Sequence, residues 1–158
     1  MTARPATPGD APSMARIYNE GIEDRVATFE IRLRSADEIC QWFDGVHPIV
    51  VVEENCEVVA FAATSQYRPR ECYAGIAETS VYVARESRRR GAGSLALEAL
   101  IRAAHQAGFW KLLSRVFPEN VASRGLIREL GFREVGTYEK HGKLDGQWRD
   151  VVIVELLI

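Results

Sequence analysis

One segment constrains the fold more than any other: Val81-Tyr82-Val83-x4-Arg88-Arg89-Arg90-Gly91-Ala92-Gly93-Ser94. A β-branched run leads through a basic, glycine-containing turn into a helix whose buried stripe is Leu97, Leu100, Ile101 and Ala104, with Gly108 as its stop. N–H groups at a helix start have no intrahelical partner, and the helix dipole favours negative charge there. Glycine at 91 and 93 lets an anion reach the backbone without a Cβ in the way. Arg88, Arg89 and Arg90 can hold phosphate oxygens in charge-assisted pairs. The set suits a pyrophosphate. A solvated charged face is the plainer alternative for the three arginines. Gly91-x-Gly93-x-x-Ala96 also matches a loose dinucleotide fingerprint, but Ala84 to Arg90 separate it from the strand, and no acid ends the next strand at Ser114, Arg115 or Val116.

Elsewhere the punctuation is regular. Pro5 to Pro12 precede a helix with Asp10 as its N-cap and Met14, Ile17, Tyr18 and Ile22 on one face. A second helix starts after Ser35, presents Ile39, Trp42 and Phe43, and stops at Gly45. Ile49 to Glu53 and Val58 to Ser65 read as a hairpin, and Ala74 to Ala84 as the next strand. After the long helix come a strand at Lys111 to Phe117, a helix at Asn120 to Leu130, and strands at Phe132 to Tyr138 and Asp150 to Leu157, joined by a glycine-containing loop. A short strand at Ala3 to Ala6 completes the set. No linker divides the chain, so a single domain over 1–158 is expected.

Composition removes several function classes. With 20 basic and 22 acidic residues and a net charge of −2, no nucleic-acid or membrane-surface partner is expected. No window approaches the ~20 apolar residues of a membrane span, and Met1 to Pro5 carry no secretory stretch, which reads as cytoplasmic. Cys40, Cys56 and Cys72 form no C-x-x-C, and His47, His105 and His141 show no metal spacing, so no metal is expected.

A second signal follows the first. Asn120-x-x-Ser123-x-x-Leu126-x-x-x-Leu130-Gly131-Phe132 places Asn120 and Ser123 at the start of the next helix, where a ligand lying between two splayed strands would meet both helix starts. In this order, after Arg88-x-x-Gly91-x-Gly93, the chain resembles the GCN5-related N-acetyltransferase superfamily over essentially its whole length. The resemblance implies an α+β fold: a mixed, mostly antiparallel central sheet of about six to seven strands with a splayed strand pair, flanked by roughly four helices. It implies acetyl-CoA as co-substrate, with Val81, Tyr82 and Val83 along the pantetheine arm. Arg88, Arg89, Arg90, Gly91, Ala92, Gly93 and Ser94 would meet the pyrophosphate, and Asn120 and Ser123 the second cofactor segment. Tyr18-Asn19-Glu20-Gly21-Ile22, Ala27-Thr28-Phe29-Glu30, Glu78-x-Ser80-Val81-Tyr82-Val83 and Gly146-x-Trp148-x-Asp150 look like the phosphinothricin acetyltransferase branch, which acetylates the α-amino group of glutamate-like amino acids such as phosphinothricin, methionine sulfoximine and arsinothricin. The resemblance also implies a homodimer.

Roles follow from the chemistry. Acetyl transfer needs a free amine, so a base must take a proton from the ammonium, directly or through water. Glu78, inside an otherwise apolar strand, matches the branch's proposed base; its plainer reading is an outward-facing acid. A backbone N–H near Val81 is the expected donor to the thioester oxyanion. Ile127 stands where many superfamily members carry a tyrosine general acid, so the resemblance names no general acid here, and departure as a thiolate is tolerable for a thiol this acidic. Arg68 and Arg70, in Tyr67-Arg68-Pro69-Arg70, offer planar donor pairs to the acidic ends of an acceptor, or are solvated loop arginines. Phe29 is either an apolar wall of the acceptor pocket or a core aromatic. An acetyltransferase for another amine or a protein N-terminus, and a non-catalytic acyl-CoA-binding module, are the alternatives.

Overall fold

The computed structural model describes residues 1–158. Seven strands form one sheet: β1 (Thr2–Pro5), β2 (Ile49–Glu54), β3 (Glu57–Gln66), β4 (Ile76–Val83), β5 (Lys111–Val116), β6 (Arg133–Leu144) and β7 (Gln147–Leu157). Their spatial order is β1-β2-β3-β4-β5-β7-β6, and only the β4–β5 pair is parallel. Helices α1 (Ala11–Asp24) and α2 (Ala36–Cys40) cover one face; α3 (Ala92–Gln106) and α4 (Val121–Glu129) cover the other. Strand alternation serves both faces. Val50 and Val52 pack with Leu97, Leu100 and Ile127, whereas Ile49 and Val51 pack with Met14, Ile17 and Ile39. That is why Ile49 to Val52 read as a continuous apolar run. No helix is long and apolar enough to cross a membrane.

Three local expectations are corrected. Asp10 precedes α1 but makes no side-chain cap to it. Its carboxylate instead accepts from Thr7 N–H (2.8 Å) and takes both guanidinium nitrogens of Arg4 (2.8 Å each), pinning the helix entry to β1. Helix α2 ends at Cys40, well before Gly45; Trp42 and Phe43 follow it in a turn and still pack on the core. The stretch between the last two strands is no loop. After a bulge between Tyr138 and Gly142 the ladder resumes, pairing Gly142 with Arg149 and Leu144 with Gln147, and reverses at Asp145-Gly146, both in the left-handed region. The bulge resets the alternation, so the period-two signal breaks where the strand does not.

The decisive topological feature is the fork. Strands β4 and β5 pair at Ile76–Lys111, Ala77–Leu112 and Glu78–Leu113 and then separate, while β5 stays paired with β7 as far as Val116. At the branch point the Ser114 hydroxyl donates to Thr79 O at 2.8 Å, replacing the backbone bond that the next pair would have made. Residues 25–35, between α1 and α2, run across this opening as a strap. Asn19 holds it through two bonds with Arg34 (2.8 and 2.9 Å), Asn120 Nδ2 donates to Val26 O at 3.2 Å, and Phe29 packs edge-to-face on Phe117.

The hydrogen bonds from Arg4 outweigh burial and hold the Asp10 carboxyl below its usual range. Its contribution is therefore complete above the unfolded value of about 3.9 and is lost as pH falls through the lower folded value. Asp10→Asn should be less stable than the parent at pH 7 by about 1–2 kcal/mol. The difference should close below about pH 4, as read from urea midpoints across pH.

Candidate active site

Three cavities meet at the fork. The first, about 470 Å³, is a cleft between the C-terminal half of β4 and the starts of α3 and α4, roofed by Val26 and Ala27 of the strap. It brings together Val81, Tyr82, Val83, Arg88, Arg89, Gly91, Gly93, Ser94, Asn120 and Ser123, all expected there. Gly91 is the N-cap of α3 with φ +87°, and the first intrahelical bond runs from Leu95 N–H to Gly91 O at 3.1 Å. The N–H groups of Ala92, Gly93 and Ser94 thus lack helical acceptors. A Cβ at Gly91 would meet nothing within 4 Å, whereas one at Gly93 would press on Val83 and Leu126 at 3.3 Å. Gly91 serves the backbone turn, and Gly93 serves close packing of α3 on β4 and α4. This donor set fits a diphosphate.

Two expected cofactor residues lie outside the cleft wall. Arg90 turns away to Glu54 at the β2–β3 turn (2.9 Å), and the side chain of Ala92, the first residue of α3, is buried in the core, so that Ala92 offers the cleft only its N–H. Arg88 lines the cleft but is already engaged, with Asp24 at 2.7 Å and Val83 O at 3.2 Å. Burial opposes ionisation of Asp24, but hydrogen bonds from Arg85 and Arg88 hold its carboxyl below the usual range. Arg89, in the left-handed region at φ 61°, is exposed. Asn120 spends its side chain on structure: Oδ1 accepts from Ser123 N–H at 3.1 Å, capping α4, while Nδ2 clips the strap.

The second cavity, about 80 Å³, sits in the fork between β4 and β5. Thr79, Ser80 and Val81 form one side, Ser114 to Val116 the other, and Leu97, Ile127 and Phe132 close it. Ala84 N–H bonds Val59 O of β3, and Thr79 O accepts from β5. Backbone direction alternates along a strand, so Val81 turns its N–H and C=O toward the open side. Ile127 is buried there, and α4 supplies no hydroxyl in its place.

The third cavity, about 560 Å³, opens on the α1–α2 face beyond the fork. Its wall carries Glu78, Ser80 and Tyr82 from β4, Ser65 and Gln66 from β3, Tyr18 from α1, Glu30 from the strap, and Trp42 and Asp44 from the turn after α2. Tyr18 stands edge-on to both Trp42 and Tyr82, with ring centroids 5.3 and 4.9 Å away. Burial raises both phenols, assisted at Tyr18 by the charge of Glu30, so both stay protonated. Glu78 is partly exposed and pairs with Arg115 at 2.8 Å across the fork.

Phe29, read as either an apolar wall or a core aromatic, is half-buried and lines none of the three cavities: it packs edge-on to Phe117 against the β6–β7 hairpin, and a Cβ at Gly142 would strike its ring at 2.8 Å. Arg68 and Arg70 are exposed on the loop that continues from Gln66, ordered by Tyr67 against Tyr73 and by Arg68 over the Tyr67 ring, and line neither cavity in one chain. Sequence reasoning missed Arg115, Trp42 and Asp44. Only Arg115 left a usable trace, because pairing Glu78 with Leu113 puts it on the same face one step along.

Comparison with known proteins places this geometry. The pattern of the Acetyltransferase (GNAT) family matches residues 14–132. An L-methionine sulfoximine/L-methionine sulfone acetyltransferase of Pseudomonas paraeruginosa is 32% identical, covering 97% of this chain and 92% of its own. A ribosomal-protein-alanine N-acetyltransferase structure from Brucella melitensis superposes at a TM-score of 0.95 with 31% identity, over 100% of both chains. A GNAT superfamily phosphinothricin acetyltransferase from Sinorhizobium meliloti in complex with AcCoA superposes at 0.92 with 29% identity, over 99% of this chain and 88% of that one.

A β-branched residue is strongly disfavoured at positive φ. Gly91→Val should therefore re-aim the α3 N–H groups and weaken acetyl-CoA binding by roughly tenfold or more, measured calorimetrically, while the circular dichroism spectrum is retained.

Proposed function

The chain belongs to the acetyltransferase (GNAT) family and is an acetyl-CoA-dependent N-acetyltransferase, and from that premise we propose that its acceptor is the α-amino group of a small glutamate-like amino acid of the phosphinothricin or methionine sulfoximine type. The observation that carries this is the position of Glu78: it lines the third cavity and stands at the last β4–β5 pair before the fork opens, where an amine entering from the α1–α2 face would meet an acyl group entering from the cleft.

Glu78 accepts the ammonium proton, directly or through a water. The free amine then attacks the thioester carbonyl carbon, whose oxygen is received by the Val81 N–H. The thiolate departs with the electron pair of the broken C–S bond, tolerable for a thiol ionising near 8.5, and the second proton that the nitrogen sheds on becoming an amide passes to water. Val81, Val83 and the α3 start position the donor, and the strap and aromatic wall exclude bulk water. Arg68 and Arg70 bind the acceptor's acidic groups, and the enzyme works as a homodimer with the acceptor pocket near the interface.

A second reading is favoured by one observation. The third cavity is lined by Glu30, Asp44 and Glu78 and by no lysine or arginine. Such a wall suits an amine without acidic groups, such as a peptide N-terminus. Thiol release measured across phosphinothricin, methionine sulfoximine, neutral amino-acid amides and Ala-initiated peptides separates the two.

Two outcomes are expected. Glu78→Gln should depress kcat most near pH 7 and recover as pH approaches the pKa of the acceptor amine, because the amide cannot take the proton. Arg68→Ala or Arg70→Ala should lower kcat/KM for acidic acceptors roughly 10–100-fold while sparing amidated analogues and acetyl-CoA affinity. Equal losses on charged and neutral acceptors would make the loop structural.

A further inference from the structure

Strand β4 carries one side-chain polar atom that is sealed from solvent and has no partner. Thr79 is 7% exposed, its Oγ1 is sealed from solvent, and nothing in the protein accepts its proton. A buried hydroxyl without a partner is destabilising, and native proteins seldom keep one without a reason. Alternation puts Thr79 on the same face as Ala77 and Val81, toward α3 and α4, and away from Glu78 and Ser80. There it lines the small fork cavity, with Leu97, Ile127 and Phe132 and, at the start of α4, Asn120 and Ser123. Three of the other polar side chains at the fork are occupied, while Ser80 and Ser123 also line it. Ser114 Oγ donates to Thr79 O, Arg115 holds Glu78, and Asn120 caps α4 and clips the strap.

We propose that the Thr79 hydroxyl is a catalytic residue: it donates a hydrogen bond to the thioester carbonyl oxygen, as a second donor beside the Val81 N–H. The inference rests on the acetyl-CoA-dependent activity and is independent of which acceptor is used. As the amine nitrogen forms its bond to the carbonyl carbon, the C=O electron pair moves onto oxygen. The two donors stabilise that charge, and Thr79 keeps its proton throughout. The pair then returns as the C–S bond breaks and the thiolate takes that bond's electrons; Glu78 holds the first proton removed from the ammonium, and the second, shed by the nitrogen of the adduct, passes to water. Donors fixed in place by the fold act more strongly on such charge than donors in water, because nothing need reorganise as it develops. Thr79 and Glu78 point to opposite faces of one strand, so the charge on the oxygen and the base for the amine are served from opposite sides of the reacting carbon.

The test uses infrared difference spectra of the protein with [1-13C]acetyl-CoA in the absence of acceptor, together with steady-state rates. In the parent, the thioester carbonyl band should lie below its position in water. In Thr79→Val, which keeps the shape and removes the hydroxyl, the band should move up and kcat should fall roughly 10–100-fold, with little change in acetyl-CoA affinity. Thr79→Ser should restore both. Thr79→Val should also match or exceed the parent in Tm without ligand, because no hydrogen bond is lost; should it prove unstable, Thr79→Ala provides the same infrared comparison. A carbonyl band and kcat unaffected by loss of the hydroxyl would overturn the proposal and leave Thr79 bonded to a trapped water. The infrared measurement contains no acceptor, so failure of the glutamate-like acceptor reading leaves its outcome intact.

Discussion

Strand β5 has two neighbours and cannot follow both. It keeps its antiparallel ladder with β7 to Val116 and abandons β4 after Leu113. Everything chemical in this molecule follows from that choice. Parting exposes the backbone of Val81 in the middle of a sheet, where such groups are otherwise paired. It also makes a small cavity in what would be solid core. Ser114 spans the branch point with a side-chain bond where a backbone bond would have closed the gap. The fork is a built feature rather than a frayed end, since both strands stay in continuous ladders on their outer sides.

The two faces of the sheet then divide the work. The α3–α4 face carries glycine, free N–H groups and arginines, the means of holding a diphosphate, and the α1–α2 face carries aromatic rings and carboxylates, the means of holding an amine. Only β4 contributes to both. Its alternation delivers Glu78, Ser80 and Tyr82 to one side and Thr79, Val81 and Val83 to the other, so period two, usually a device for separating core from solvent, here supplies side chains to two faces that both carry cavities.

Legibility in the sequence tracked locality. The turn Arg88 to Ser94 and the Asn120 cap are contiguous, and their chemistry follows from a strand feeding a helix. The hairpin at Asn55-Cys56 and the capping box of Ser35 and Glu38 are equally local. Phe29 and Arg90 went differently because their partners are remote: Phe117 and Gly142 for one, Glu54 for the other. Nothing in Ala27 to Glu30 announces that a hairpin tip more than a hundred residues later lies over the ring. The β6–β7 hairpin was read too short because its bulge breaks the alternation, and Lys143 over Trp148 gives no apolar pattern to follow. The acceptor cavity is assembled from α1, the strap, the turn after α2, β3 and β4, and no single stretch of sequence carries its outline.

The strap has a consequence for how the two ligands sense each other. Val26 and Ala27 roof the cleft, and Glu30, a few residues on, lines the amine cavity. The segment is anchored at one end by Asn120 and at the other by Asn19, so one stretch of chain furnishes a wall to both cavities. Any stiffening of it by one ligand changes the free energy of binding the other, and linkage makes the effect reciprocal: whatever factor the donor applies to acceptor affinity, the acceptor applies to the donor. The two binding sites share a wall, and therefore a thermodynamic cycle.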